Sequence, residues 1–181
     1  MVAYDDIADA LLGTGMRPFA SGTAATPASF WYTKSAFSST HRDLAAALVR
    51  AAGSSYIVEV GSFIGNSAIT WANAIKRERS ASKVVCIDTW LGDVGMWQQK
   101  GKWLGPRDGT GQSRISEQFL ANVLAANASE LVLPLRAPSS VGLRYLATLV
   151  ATHRVPPPMV VYLDAAHEYP ETELEVGCAQ T

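Results

Sequence analysis

Hydrophobic positions follow two different spacings along most of this chain. Short runs of adjacent apolar residues, typical of strands buried on both faces, alternate with stretches whose apolar residues recur every three or four positions, as in helices. The short runs predict strands at residues 56–60, 83–87, 130–133 and 159–163. The longer stretches predict helices at residues 5–12, 41–52, 64–79, 113–127, 139–151 and 168–178. Strands that alternate with helices indicate right-handed β-α-β units and a parallel sheet.

The first 40 residues differ in pattern from the rest of the chain. From Gly13 to Ser39 the sequence is rich in Gly, Ala, Ser, Thr and Pro and has no sustained period, which predicts a loop or cap. Thr40 and Gly53 are expected to cap the two ends of the next helix. We therefore expect an N-terminal helix and cap, residues 1–40, followed by a main domain, residues 41–181.

The composition excludes several classes of protein. With 48% hydrophobic and 17% charged residues, the chain is not disordered as a whole. Its net charge is -1, from 15 basic and 16 acidic residues, so it lacks the dominant basic field of a nucleic-acid binder. The apolar runs are too short for a membrane helix, and the first residues lack the pattern of a secretory signal. We therefore expect a cytoplasmic protein that binds neither nucleic acid nor membrane.

A glycine turn joins the first strand to the helix after it. The segment reads YIVEVGSFIGNSA, with Glu59 near the strand end, Gly61 in the turn and Gly65 at the helix start, where a ligand can approach the backbone. Phe63 stands where the dinucleotide-binding fingerprint has its middle glycine, which speaks against a dinucleotide oxidoreductase. A purely structural turn is the alternative interpretation of the two glycines.

Two residues at the end of the second strand are candidates for binding a nucleoside. The side chain of Asp88 can accept hydrogen bonds from two ribose hydroxyls, and Trp90 can stack on an adenine. The alternatives are an aspartate that holds a turn and an aromatic residue of the core.

A second polar pair follows the fourth strand. Asp164 stands at the carboxyl end of that strand, where open parallel sheets bind ligands, and its carboxylate suits a hard metal ion. His167 has the chemistry of a general base near neutral pH. The alternatives are a helix-capping aspartate and a solvated histidine in the first turn of a helix.

Four segments, in this order and spacing, resemble the class I S-adenosylmethionine-dependent methyltransferases, in particular the small-molecule O-methyltransferase-like group. They are EVGSFIGNSA, VVCIDTWLGD, EQFLANVLAA and MVVYLDAAHEYPET, and the resemblance covers about residues 41–176. It implies a Rossmann-like three-layer α/β sandwich with a parallel sheet of strand order 3-2-1-4. It also implies methyl transfer from S-adenosylmethionine to an oxygen of a small molecule.

The resemblance implies a role for each candidate residue. Ser67 would hold the methionine carboxylate, Asp88 the ribose and Ser139 the adenine. Asp164 would be a catalytic residue and the ligand of a divalent metal such as Mg²⁺, and His167 would stand where catechol-type relatives have a lysine base. The complete set assigned to the cofactor is Glu59, Gly61, Ser62, Gly65, Ser67, Asp88, Trp90 and Ser139.

The resemblance also predicts what this chain lacks. The family's sheet has seven strands, and its fifth strand carries a Gly-Gly turn and an acidic pair that completes the metal site; the sequence has neither. We therefore expect a C-terminally truncated methyltransferase, inactive in this form, whose apolar fourth strand favours a homo-oligomer. The alternative is a non-catalytic nucleotide-binding or interaction module derived from a methyltransferase. The glycine-rich segment 89–111 predicts a loop, which we interpret as a lid.

Overall fold

A computed structural model describes residues 3–19, 38–53, 55–98, 109–165 and 169–180. The helices in these residues are α1 (Tyr4–Leu12), α2 (Ser39–Ala52), α3 (Asn66–Glu78), α4 (Val94–Gln98), α5 (Ile115–Ala125), α6 (Ser139–Ala151) and α7 (Tyr169–Ala179). The strands are β1 (Tyr56–Val60), β2 (Lys83–Asp88), β3 (Val132–Arg136) and β4 (Val160–Leu163). No helix of the described residues is long and apolar enough to cross a bilayer.

The four strands form one parallel sheet in the order β3-β2-β1-β4, which confirms the predicted fold class and strand order. β1 lies inside the sheet, and all five of its residues are buried, as its nearly continuous apolar run predicts, although the run contains Glu59. β2, the next strand in the chain, pairs with one side of β1, and β4 pairs with the other side. Such a reversal opens a crevice at the carboxyl ends of the strands.

Helices cover both faces of the sheet and create two separate hydrophobic cores. Ile57 of β1 points into one core and Val58 into the other, as alternate residues of a strand do. The first core includes residues of α2, α3 and α5, namely Val49, Trp71 and Phe119. The second includes residues of α1, α6 and α7, namely Ile7, Leu146 and Cys178. The result is the three-layer, Rossmann-like sandwich that the sequence predicts.

The N-terminal helix α1 packs directly on the second core. Ile7 and Leu11 are buried there, and the Tyr145 hydroxyl of α6 donates a 3.0 Å hydrogen bond to the carbonyl oxygen of Ala10. These contacts show that α1 packs on the same hydrophobic core as α6 and the sheet. Residues 20–37 of the predicted cap lie outside the described residues.

Two predicted boundaries are wrong. The N-cap of α2 is Ser38 rather than Thr40, because the Ser38 hydroxyl accepts a 3.3 Å hydrogen bond from the His41 amide; Gly53 is the C-cap, as predicted. β3 lies two residues later than predicted and contains Pro134. Proline fits there because β3 is at an edge of the described sheet, where a strand can lack an outward-facing amide.

The glycine-rich segment 89–111 contains a short helix that the sequence pattern did not predict. α4 has five residues, too few for a hydrophobic period to be visible. The Asp93 carboxylate accepts a 2.7 Å hydrogen bond from the Met96 amide and so stabilises its first turn. Residues 99–108, the centre of the predicted lid, lie outside the described residues.

Candidate active site

A cleft of about 790 Å³ lies at the carboxyl ends of the four strands. Its walls include residues that end or follow each strand: Gly61 after β1, Asp88 of β2, Pro138 after β3 and Asp164 after β4. Its size is in the range of small-molecule sites. The sequence-predicted residues that line it are Gly61, Ser62, Ser67, Asp88, Trp90, Ser139 and Asp164.

Two predicted site residues that the structure describes do not line this cleft. Glu59 is fully buried within β1, beneath the glycine turn. Gly65 is the N-cap of α3, with φ of 93°, and an added Cβ would lie 3.2 Å from the ring of Phe119. The positive φ and the contact with α5 favour glycine at this position, and the ligand contact of Gly65 stays a prediction. His167 lies outside the described residues.

Gly61 is the point where three strands meet at the cleft. Its amide donates a 3.0 Å hydrogen bond to the Ile87 carbonyl of β2, while the Asp164 amide donates a 2.8 Å bond to the Val60 carbonyl. Gly61 has φ of 87°, and a Cβ atom there would overlap the Asp164 carbonyl oxygen. Only glycine therefore allows the end of β4 to lie this close to the turn.

Asp88 connects the turns that follow β1 and β2. Its Oδ2 accepts a 2.8 Å hydrogen bond from the Phe63 amide, and its Oδ1 accepts a 2.7 Å bond from the Trp90 amide. The turn-holding role considered for this aspartate is therefore present in the structure. Each carboxylate oxygen can accept a further hydrogen bond, so the ribose-binding role is compatible with it and stays a prediction.

Trp90 forms part of the cleft floor and is only 3% exposed. Its indole packs against Phe119 at 4.8 Å between ring centroids, and its Nε1 donates a 2.8 Å hydrogen bond to the Phe63 carbonyl. These contacts are those of a core aromatic residue that supports the glycine turn. Stacking of Trp90 on an adenine stays a prediction.

The wall of the cleft contains a buried hydroxyl next to the Glu59 carboxyl. It belongs to Ser62, which is 2% exposed and lines the cleft directly after Gly61. A hydroxyl can donate one hydrogen bond and accept two, so Ser62 can also accept a hydrogen bond from a ligand. Ser62 therefore fits a polar ligand such as the predicted cofactor.

Glu59 is a buried carboxyl group beneath that wall. Its Oε1 accepts a long, 3.9 Å contact from the Cys86 thiol. Burial raises the pKa of Glu59 from 4.5 to about 7, and the charge of Asp164 adds to the rise; the hydroxyls of Ser62 and Ser67 oppose it. Glu59 is therefore a proton-binding group next to the cleft.

Asp164 is held at the opposite side of the Gly61 turn from Asp88. Its Oδ2 accepts a 3.1 Å hydrogen bond from the Tyr162 hydroxyl. Burial raises the pKa of Tyr162 to about 12, so this phenol stays protonated and can donate. In the part of the chain that the structure describes, no group of three acidic, histidine or cysteine side chains is arranged to hold a metal ion. The metal-binding role of Asp164 stays a prediction.

The structure adds two groups of cleft residues that the sequence reasoning missed. Ser38 and His41 come from the start of α2, and Glu171, Leu174 and Glu175 come from α7. Glu171 lies in the fourth segment of the family resemblance, but no role was assigned to it, and the other residues of the two groups belong to no motif. Both groups reach the cleft only through tertiary packing. The one available signal was the spacing of the three α7 residues, which places them on one helix face.

Sequence comparison identifies the family. A family described as a methyltransferase domain matches residues 58–180, which is more than half of the chain, and the chain belongs to this family. The match begins within β1 and includes the glycine turn, Asp88, Ser139 and Asp164. A search of curated proteins found no match.

Several solved structures are similar to this chain, among them the following two. An O-methyltransferase from Bacillus cereus, in complex with SAH, is 16% identical, with a TM-score of 0.49 over 81% of this chain and 55% of that one. The cofactor-bound protein Rv0187 from MTB is also 16% identical, with a TM-score of 0.47 over 96% of this chain and 65% of that one. The chain therefore spans less than two thirds of the length of either protein.

Proposed function

We propose that the cleft binds S-adenosylmethionine and that the protein transfers its methyl group to an oxygen of a small molecule. The observation that carries this proposal is the convergence of the Gly61–Ser67 turn and Asp88 on one cleft in a chain of the methyltransferase domain family. The hydroxyl of Ser62 in the same wall, which can accept a further hydrogen bond, supports it.

The cofactor would lie across the ends of β1 and β2. Ser67 lies in the first turn of α3, where unpaired backbone amides favour an anion, so this end suits the methionine carboxylate. Asp88 would accept hydrogen bonds from the ribose. Ser139 begins α6 on the β3 side of Asp88, in a position suited to the adenine.

When bound, S-adenosylmethionine supplies an electrophilic methyl group on a sulfonium. The chain would orient the acceptor oxygen in line with that methyl group and exclude water from it. We assign removal of the acceptor proton to His167, and to Asp164 the binding of a divalent metal that lowers the pKa of the acceptor hydroxyl.

Calorimetric titration with S-adenosylhomocysteine tests the cofactor site. Wild-type protein should bind it, and Asp88→Ala should weaken binding by about 1–3 kcal/mol, because polar groups of the ligand lose their partner. Since Asp88 also holds the Phe63 and Trp90 amides, the melting curve of the variant must show that it is folded. A folded Asp88→Ala protein with unchanged affinity would remove Asp88 from the ribose site.

Turnover of a form that also carries the family's remaining strands separates the enzyme from the non-catalytic alternative. His167→Ala should reduce methyl transfer about 10²-fold with little change in cofactor affinity, as loss of a general base does. Asp164→Asn should reduce turnover in a manner that depends on added Mg²⁺, because an amide is a poorer ligand for a hard cation. Tight cofactor binding without turnover on any acceptor would favour the nucleotide-binding module.

A further inference from the structure

The inner face of α7 carries carboxylates where a helix of this fold is expected to be apolar. Glu171, Leu174 and Glu175 are spaced so that they share one face, and all three line the cleft. Cys178 continues the same stripe and is buried in the second core. The stripe is thus apolar where it meets the core and carries two carboxylates where it meets the cleft. Charged residues at positions where the hydrophobic pattern predicts apolar ones are typical of functional sites.

Glu175 is the unusual member of this group. It is only 5% exposed, although it carries a carboxylate. No hydrogen bond or ion pair joins its side chain to another residue in the described segments. Its carboxylate oxygens keep contact with the open cleft. A cationic or hydrogen-bond-donating group of a ligand in the cleft can therefore pair with this carboxylate.

The rest of the cleft wall has the same sign of charge. Asp88, Asp93 and Asp164 also line it, and among its described lining residues there is no Lys or Arg. Carboxylates that line a cleft with low-dielectric walls concentrate their field there and attract cations. The described acidic side chains are not grouped as metal ligands, so an organic cation matches them better than a metal ion.

The sheet topology separates the α7 carboxylates from the proposed ribose site at Asp88. Asp88 belongs to β2, whereas α7 contacts β4 and α6. β2 and β4 lie on opposite sides of β1 in the strand order. The wall formed by Glu171, Glu175 and Asp164 is therefore on the β4 side of the cleft, opposite the proposed ribose site.

We propose that the acceptor of this methyltransferase is a small molecule with a cationic amine, which Glu175, assisted by Glu171, binds while the hydroxyl of the acceptor is methylated. This inference rests on the proposed function and specifies its substrate class. Transfer of the methyl group to the hydroxyl oxygen forms a carbon–oxygen bond as the carbon–sulfur bond breaks, and the hydroxyl proton leaves to the base. The amine takes no part in bond formation and serves only for recognition.

Three phenols of similar shape and different charge test the proposal. Tyramine is cationic, 4-ethylphenol is neutral and 3-(4-hydroxyphenyl)propanoate is anionic, and each offers one hydroxyl. Protein saturated with S-adenosylhomocysteine should bind tyramine about tenfold or more tightly than 4-ethylphenol, with the anion weakest, because a charge-assisted pair forms only with the amine. Glu175→Gln should remove most of this preference.

Glu173→Gln is the matched control, because Glu173 is on the same helix but is exposed and does not line the cleft. It makes the same change in net charge and should leave the preference intact. Equal binding of the three phenols, no binding of tyramine, or equal effects of the two variants would overturn the proposal. A weaker affinity of Glu175→Gln for S-adenosylhomocysteine itself would also overturn it, since Glu175 would then serve the cofactor. Failure of wild-type protein to bind S-adenosylhomocysteine, measured first, would instead refute the proposed function.

Discussion

Glu59 shows how a single buried residue can make the stability of this protein depend on pH. Its folded-state pKa is raised from 4.5 to about 7 by burial, with a further contribution from the charge of Asp164. The folded state therefore holds the Glu59 proton between these two pH values, whereas the unfolded state releases it. Stability from this group is complete below pH 4.5 and is lost as the pH rises through 7.

Glu59→Gln should remove that dependence. The difference in the free energy of unfolding between wild type and Glu59→Gln should change by about 3 kcal/mol from pH 4.5 to pH 8, in favour of the variant at high pH. Denaturant unfolding across this pH range measures the difference. For Glu173→Gln, at an exposed position, the free energy of unfolding should depend on pH in the same way as in wild type. A flat difference curve for Glu59→Gln would mean that Glu59 titrates at its ordinary pKa.

Gly61 and Gly53 allow backbone strain to be separated from steric overlap. Both have positive φ, of 87° and 62°, but only at Gly61 would a Cβ atom meet another residue. Gly53→Ala should therefore cost about 1–3 kcal/mol of stability, the cost of a positive-φ backbone conformation that residues with a Cβ rarely adopt. Gly61→Ala should cost more, because the end of β4 must also move. Similar unfolding free energies for the two variants would show that the end of β4 moves away from the added methyl group without a loss of stability.

The elements of this fold differ in how much of them the sequence reveals. β1, β2 and α3 were predicted to within two residues, since apolar runs and helical periods are local signals. α4 was missed and β3 was misplaced because a five-residue helix and a proline-containing edge strand carry almost no local pattern. The carboxylates of α7 were within a predicted helix, but their position in the cleft depends on how that helix packs.

A buried amide pair fixes α5 to the glycine turn. The Asn122 side chain donates a 2.8 Å hydrogen bond to the Ile64 carbonyl and accepts a 2.7 Å bond from the Gln118 side chain. Asn122→Ala leaves buried groups without partners and should destabilise the protein by about 1–3 kcal/mol. Since Ile64 lines the cleft, affinity for S-adenosylhomocysteine should also fall.

The double variant Asn122→Ala/Gln118→Ala provides the control for this pair. If the two side chains act together, the double variant should lose less stability than the sum of the single variants, because each single change already breaks their shared bond. Chemical denaturation of the four proteins measures this coupling. Strict additivity would show that Gln118 and Asn122 stabilise the turn independently.

At the scale of the whole molecule, the two cores and the cleft depend on the same sheet. The residues of β1 divide between the two cores, and the same strand ends at Gly61 on the cleft wall. The sheet could be predicted because each strand is a short, nearly continuous apolar run, which indicates burial on both faces. The acidic side of the cleft could not, because it is assembled from the ends of β4 and α7, far from the glycine motif in sequence.

This shared construction predicts that the cofactor stabilises the entire fold. A ligand that binds only the folded state at about a hundred times its Kd adds about 2.7 kcal/mol to the free energy of unfolding. S-Adenosylhomocysteine at that concentration should therefore raise the melting temperature in a single cooperative transition, and the rise should be smaller for Asp88→Ala at the same concentration. Calorimetry would supply the Kd and scanning of the same samples the shift. Saturated binding without a shift in melting temperature would mean that the ligand binds the unfolded chain equally well. The cleft at the strand ends would then not be the cofactor site.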